Sequence, residues 1–167
     1  MNIGKDINIR EATIGDVESL CKIRNNKDLF TRYLDECQGG KAYFLVAEIE
    51  EKIVGFGLVY LDVTKTGKKK SLLPKLSDLY VAESYRKKGV ATALVKFRES
   101  LARQYGHSEI YVSIDPNESP EMINLAKKLG YLRLQTDPYP VTATFYDHQG
   151  QAYEKTYFRL DFKKSLL

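Results

Sequence analysis

Apolar and polar residues alternate at the start of "INIREATIGDVESLCKIRNN" (residues 7–26), which predicts a short strand carrying Ile7 and Ile9. Thr13, with Asp16 three positions on, has the pattern of a helix N-terminus, and Val17, Leu20 and Cys21 supply that helix's apolar stripe. A second helix is expected over 27–35, ended by Gly39-Gly40. The β-rich runs "AYFLVAEI" and "IVGFGLVYL", separated only by the polar "EEK", read as an antiparallel hairpin. Gly55 and Gly57 fall on one face of its second strand, where something is expected to approach the backbone closely. "LSDLYV" is a further strand, and after Gly89 the residues Val90, Leu94, Phe97, Leu101 and Tyr105 recur every three or four positions, one side of a long helix. "EIYVSID" returns as a strand, and Pro120 opens a helix that carries Met122, Leu125, Ala126 and Leu129 and stops at Gly130. "VTATFYD" and "QAYEKTYFRLDF" alternate on either side of "HQG", two strands around a turn that contains His148. The order β-α-α-β-β-β-α-β-α-β-β predicts a mixed sheet with helices on its faces, an α/β or α+β layered domain.

Composition narrows this picture without altering it. A chain of 167 residues, 43% apolar, with 12 tyrosines and 7 phenylalanines, suits one domain that buries about two-thirds of the surface its unfolded form exposes. No apolar run approaches the roughly 18 residues of a membrane span, and "MNIGKDINIR" lacks a secretory signal's apolar stretch, so no membrane partner and a cytoplasmic address are expected. Cys21 and Cys37 form no C-x-x-C, and His107 and His148 stand far apart, so neither a disulfide framework nor a metal site is expected. The net charge of +4 is modest and its basic groups are short and separate, unlike the broad basic face of a nucleic-acid binder. Lys68-Lys69-Lys70 in the polar loop "DVTKTGKKKSLLP" reads as solvated surface.

One cluster does change the picture. In "SYRKKGVATALV", Arg86, Lys87 and Lys88 crowd the start of a helix, where the dipole is already positive. Backbone amides in a first helical turn lack internal partners, and the small Gly89 and Ala91 would let an anion reach them. A pyrophosphate would offset the repulsion among the three cations. The chain has neither G-x-x-x-x-G-K-[ST] nor G-x-G-x-x-G after a strand, so a nucleotide bound by another architecture is indicated.

"DLYVAESYRKKGVATALV" resembles the acyl-CoA-binding motif of the GNAT superfamily of N-acetyltransferases, with Arg86-x-x-Gly89-x-Ala91 matching [QR]-x-x-G-x-[GA]. "INLAKKLGYLRL", about 40 residues on, is similar to the family's second motif, and the likeness runs over nearly the whole chain. The resemblance implies one domain over 1–167, a mixed, mostly antiparallel central sheet of about six to seven strands, and about four flanking helices. It implies acetyl-CoA as cofactor, with the backbones of Leu79, Tyr80 and Val81 pairing with the pantetheine arm. Arg86, Lys87, Lys88, Gly89, Val90, Ala91 and Thr92 would surround the pyrophosphate. Asn117 lies where the family often has a cofactor-touching asparagine, and Ser119 takes that place if an extra residue falls after Pro116.

Transfer to an amine requires that the amine lose a proton. Asp78, on the strand that opens the motif, is the candidate base, with Glu83 as a weaker alternative. The tyrosine that the family often places four residues before the glycine of "LGY" is Ala126 here. Tyr85, Tyr111 or Tyr139 is then the candidate acid, or none is essential, since a thiol of pKa about 8.5 leaves tolerably without full protonation. Tyr33, Asp35 and Glu36 are candidates to attract the amine, and Tyr139, Tyr146 and Tyr153 to wall its pocket. The expected acceptor is a small-molecule amine and the expected state a monomer or homodimer. The alternatives are a peptide or protein amine as acceptor, a non-catalytic acyl-CoA sensor, and a nucleic-acid binder that uses the lysine clusters.

Overall fold

The computed structural model describes residues 6–62 and 73–167. The Lys68–Lys70 run therefore lies outside the described residues. In chain order the elements are β1 (Ile7–Glu11), a 3-10 turn (Ile14–Asp16), α1 (Val17–Ile23), α2 (Lys27–Glu36), β2 (Ala42–Ile49), β3 (Lys52–Tyr60) and β4 (Lys75–Val81). A second 3-10 turn (Glu83–Tyr85) leads to α3 (Val90–Gln104), β5 (Glu109–Ile114), α4 (Pro120–Lys128), β6 (Leu132–Arg133), β7 (Tyr139–Tyr146) and β8 (Ala152–Ser165). The strands lie in the order β1-β2-β3-β4-β5-β8-β6, and β7 pairs with β8 off that path. The four helices among the described residues and the mostly antiparallel sheet are those expected. The additional strand is β6, whose two residues are too few to show any periodicity.

β3 is buried at every residue from Ile53 to Tyr60, which explains why its sequence is a continuous apolar run rather than an alternating one. α1 and α2 cover one face through Val17, Leu20 and Phe30, which meet Phe44, Phe56 and Leu58 of the sheet. Phe30 and Phe44 each sit edge-on to Phe56, at 5.2 and 5.8 Å between ring centres. α3 packs on β2–β4 through Val90 and Leu94, and shares a second cluster with α4 through Val95, Ala102 and Ala126. The N-terminus of α2 is held by the Asn26 side chain, which accepts from the Leu29 amide at 3.2 Å. Thr13 and Asp16 form the reciprocal capping contact that their spacing predicts, the Thr13 amide donating to Asp16 at 2.7 Å.

Two irregularities set up the site. β4 and β5 run parallel but pair only at Lys75–Tyr111 and Leu76–Val112, after which they part and leave the β4 edge open. On its other edge, β4 shifts register against β3 between Gly57 and Leu58, so that Gly57 faces Leu79, Leu58 faces Ser77, and Asp78 is the unmatched residue of a bulge. β8 is long enough to pair with three strands: β5 from Leu160 to Ser165, β6 at Phe162 and Lys163, and β7 from Ala152 to Arg159.

Candidate active site

The turn after β4 has the conformation an anion site needs. Gly89 precedes α3 at φ +89°, a left-handed conformation that side-chain-bearing residues rarely adopt, and a Cβ there would meet nothing within 4 Å. The space above it is open. Ala93 is the first residue whose amide closes the helical ladder, donating to the Gly89 carbonyl at 3.0 Å, so the amides of Val90, Ala91 and Thr92 precede that ladder. Lys87 and Lys88 are exposed beside them. Arg86, also exposed, turns its Nε back to the Val81 carbonyl at 2.9 Å, which ties the turn to the end of β4.

Beyond Leu76 the parted strands enclose a narrow cleft of about 190 Å³. Ser77, Asp78 and Leu79 form one side, Val112 to Asp115 the other, and Ser119, Met122 and Ala126 close it from the α4 side. Ser119 lines this cleft and Asn117 does not; the Asn117 backbone N–H donates to the Asp115 carboxylate at 2.9 Å. Tyr80 and Val81 lie further along β4 and outside the lining; the Tyr80 ring packs against Phe56. Ala126, at the position where the family often has a tyrosine, leaves the wall small. Tyr131 is the tyrosine that does line the cleft, and its hydroxyl donates to the buried carboxylate of Glu99 at 2.6 Å.

A second, wider cleft of about 490 Å³ opens between α2 and the β7–β8 hairpin. Tyr33 and Glu36 contribute from α2, and Phe145, Tyr146, Tyr153 and Tyr157 from the hairpin. Arg32 lies over the Tyr146 ring at 4.5 Å and links the two walls. The clefts share Leu76, Ser77, Asp78, Ser113 and Asp115, so they meet where β4 and β5 separate.

Asp78 stands at that meeting point. Its carboxylate accepts from Arg24 Nη1 at 3.0 and 3.1 Å and from the Tyr33 hydroxyl at 2.7 Å. Burial, and after it the charge and hydrogen bond of Asp78, raise the Tyr33 phenol well above its ordinary value, so Tyr33 remains a donor. Glu36 accepts from Tyr60, whose phenol is raised first by burial and then by that bond. Asp35 is exposed and lines neither cleft. Glu83 sits exposed in its 3-10 turn, likewise outside both. Tyr139 also lines neither cleft; its hydroxyl donates to Asp161 at 2.5 Å and accepts from Arg159 at 2.9 Å. Neither cysteine lines a cleft, and burial pushes the Cys37 thiol up to about 12.

Arg24 and Ser113, like Asp115, belong to the site without having been singled out by sequence. Arg24 ends α1 with no periodic or motif signal, and its role arises only because α1 packs on the β3 face, which brings Arg24 over the Phe56 and Tyr80 rings and beside Asp78.

The family model described as "Acetyltransferase (GNAT) family" matches residues 12–131. An N-alpha-acetyltransferase of Sulfurisphaera tokodaii is 30% identical over 138 residues, covering 77% of this chain and 81% of that protein. Among solved structures, a ribosomal-protein-alanine N-acetyltransferase from Brucella melitensis superposes with TM-score 0.69 at 19% identity, covering 95% of this chain and 99% of that one. A PaiA N-acetyltransferase from Thermoplasma acidophilum, solved in complex with coenzyme A, gives TM-score 0.66 at 15% identity, with 93% and 97% covered.

Proposed function

The chain belongs to the acetyltransferase (GNAT) family and is an acetyl-CoA-dependent N-acetyltransferase, and we propose that its acceptor is the α-amine at the start of a peptide chain. The observation that carries this reading is the meeting of two clefts of unequal width at one carboxylate, Asp78. The similarity to an N-alpha-acetyltransferase supports it, and shifts the preference from a small-molecule amine to a peptide.

The residues present fit the cofactor. The amides ahead of the α3 ladder, with Lys87 and Lys88 beside them, would hold the diphosphate, and Gly89 adds no side chain to obstruct it. The open edge of β4 at Leu79 and the narrow cleft would receive the pantetheine arm. When bound, acetyl-CoA supplies the acetyl group as a thioester. Ser119 takes the place of Asn117 in lining that arm.

The wide cleft has room for the first residues of a peptide, and its tyrosines offer both apolar faces and hydroxyl partners for a backbone. Asp78 receives the incoming ammonium and its proton, oriented by Arg24 and Tyr33. Since those partners already occupy much of the carboxylate's accepting capacity, an amine that parts with its proton easily is favoured. An α-amine, pKa about 7.7–8.0, is roughly one-tenth neutral at pH 7; a lysine amine, near 10.4, is neutral in fewer than about one molecule in a thousand. We assign no protein acid to the leaving thiol, and leave Tyr139 and Glu83 out of the chemistry because neither reaches a cleft.

The test is thiol release from acetyl-CoA across a panel of peptides with free or blocked α-amines, lysine-containing blocked peptides, and small amines. The proposal expects turnover to follow the free α-amine. Equal or faster release with small amines alone would return the acceptor to the small-molecule class.

A further inference from the structure

Arg98, at the middle of α3, is 1% exposed, lies on the α3 side of the sheet beside the bulge that presents Asp78, and contributes to the lining of the narrow cleft. Its Nη1 donates to the carbonyls of Leu58 at 2.8 Å, Ser77 at 3.1 Å and Asp78 at 3.2 Å, and its Nε to the Leu94 carbonyl of its own helix at 3.1 Å. The three strand acceptors flank or form the point at which the β3–β4 ladder slips, so one guanidinium ties both strands together at the bulge.

Three further observations separate this contact from ordinary packing. Arg98 pairs with no carboxylate among the described residues, although burial of an unpaired cation is costly and here pulls its pKa down to about 10. The charge is retained at neutral pH. Opposite it, Gly57 leaves the room the guanidinium occupies: a Cβ there would lie 2.9 Å from Arg98 Cζ. Asp78 itself sits at φ +37°, a conformation that a non-glycine residue keeps only when its surroundings hold it. Arg24 and Tyr33 hold its side chain from the α1–α2 face, and Arg98 holds its backbone from the α3 face.

We propose that Arg98 is a positioning residue for acetyl transfer, fixing the Ser77–Asp78 bulge so that the Asp78 carboxylate stands between the two clefts. The proposal rests on the acetyltransferase reading above, and on Asp78 as the group that receives the amine's proton.

The experiment compares Arg98→Met, which keeps length and apolar volume, Arg98→Lys, which restores one donor, Gly57→Ala, which pushes on the guanidinium, and each Arg98 change combined with Asp78→Asn. The result expected is a fall in kcat of tenfold or more for Arg98→Met and Gly57→Ala, partial recovery in Arg98→Lys, and, in Gly57→Ala, whose position lines neither cleft, coenzyme A affinity within about threefold of the parent. Acting through Asp78, the Arg98 change should add little to Asp78→Asn. Backbone hydrogen exchange over Lys75–Val81, read without substrate, should quicken in Arg98→Met while exchange within α4 does not change. If Arg98→Met fails to fold, Gly57→Ala and Arg98→Lys carry the decision. Unchanged kcat in the folded variants, full additivity with Asp78→Asn, or unaltered exchange across β4 would overturn the proposal. A parent protein that turns over no amine overturns the acetyltransfer reading instead, and the exchange result then still judges the clamp.

Discussion

At Asp78, the proposed base, three side chains from different elements converge on one unpaired position of β4. Replacing it with asparagine keeps the size and the hydrogen bond from Tyr33 but removes the ability to take a proton. General-base assistance is typically worth about a hundredfold or more in rate. We therefore expect Asp78→Asn to lower kcat about a hundredfold at pH 7 with coenzyme A affinity preserved. The loss should shrink as pH rises through about 8, because a larger share of the α-amine is then already neutral. A kcat–pH profile with a peptide acceptor checks this, and an unchanged rate removes Asp78 from the mechanism. At this scale the sequence was partly legible. Asp78 could be found beside its motif, but the sequence does not show that it is the bulged residue, because register is set by pairing with β3, some twenty residues earlier. Arg24 and Arg98 were invisible for the same reason: a polar residue at a helix end, or inside an apolar stripe, acquires its role only from what the helix crosses.

Among the elements, the β4–α3 turn was the most legible part, since its motif is local and its demands, a left-handed glycine and free first-turn amides, are local too. Gly89→Glu is expected to cost about 1–2 kcal/mol of stability through its positive φ. It should weaken coenzyme A binding by tenfold or more by placing a carboxylate at the amides; calorimetric titration of the folded variant measures this. The hairpin of β2 and β3 was equally plain from its two apolar runs, whereas β6 was missed and β8 proved longer than the strand expected, because a strand shared among three neighbours changes its burial pattern midway. β1 carries a separate prediction. Arg10 joins it to the first 3-10 turn and to β2, through Asp16 and Glu48, each at 2.8 Å. The hydrogen bonds from Arg10 hold both carboxyls below their ordinary range. A lowered folded-state pKa contributes stability that is present above the unfolded value and lost as pH falls through the folded one. Arg10→Met should therefore destabilise by about 1 kcal/mol at pH 7, discounted for partial exposure, and by progressively less below about pH 4. Urea unfolding at pH 7 and pH 3 tests that trend, and an equal loss at both would show that the pairs contribute nothing.

For the whole molecule, the parting of one parallel strand pair within an otherwise antiparallel sheet makes both clefts at once. The family model covers the cofactor side, ending at Tyr131, while the β7–β8 hairpin that walls the wide cleft lies beyond it. That division explains why the cofactor was legible from motifs and the acceptor was not: the proposed acceptor wall is made of tyrosines on alternating strands, a pattern that any half-exposed hairpin shows. The most direct test is a crystal structure with coenzyme A and a short peptide bearing a free α-amine. The account predicts the diphosphate against the amides of Val90, Ala91 and Thr92, and the peptide amine within hydrogen-bonding distance of Asp78. A nucleotide lodged elsewhere, or a peptide bound away from the junction of the two clefts, would contradict it.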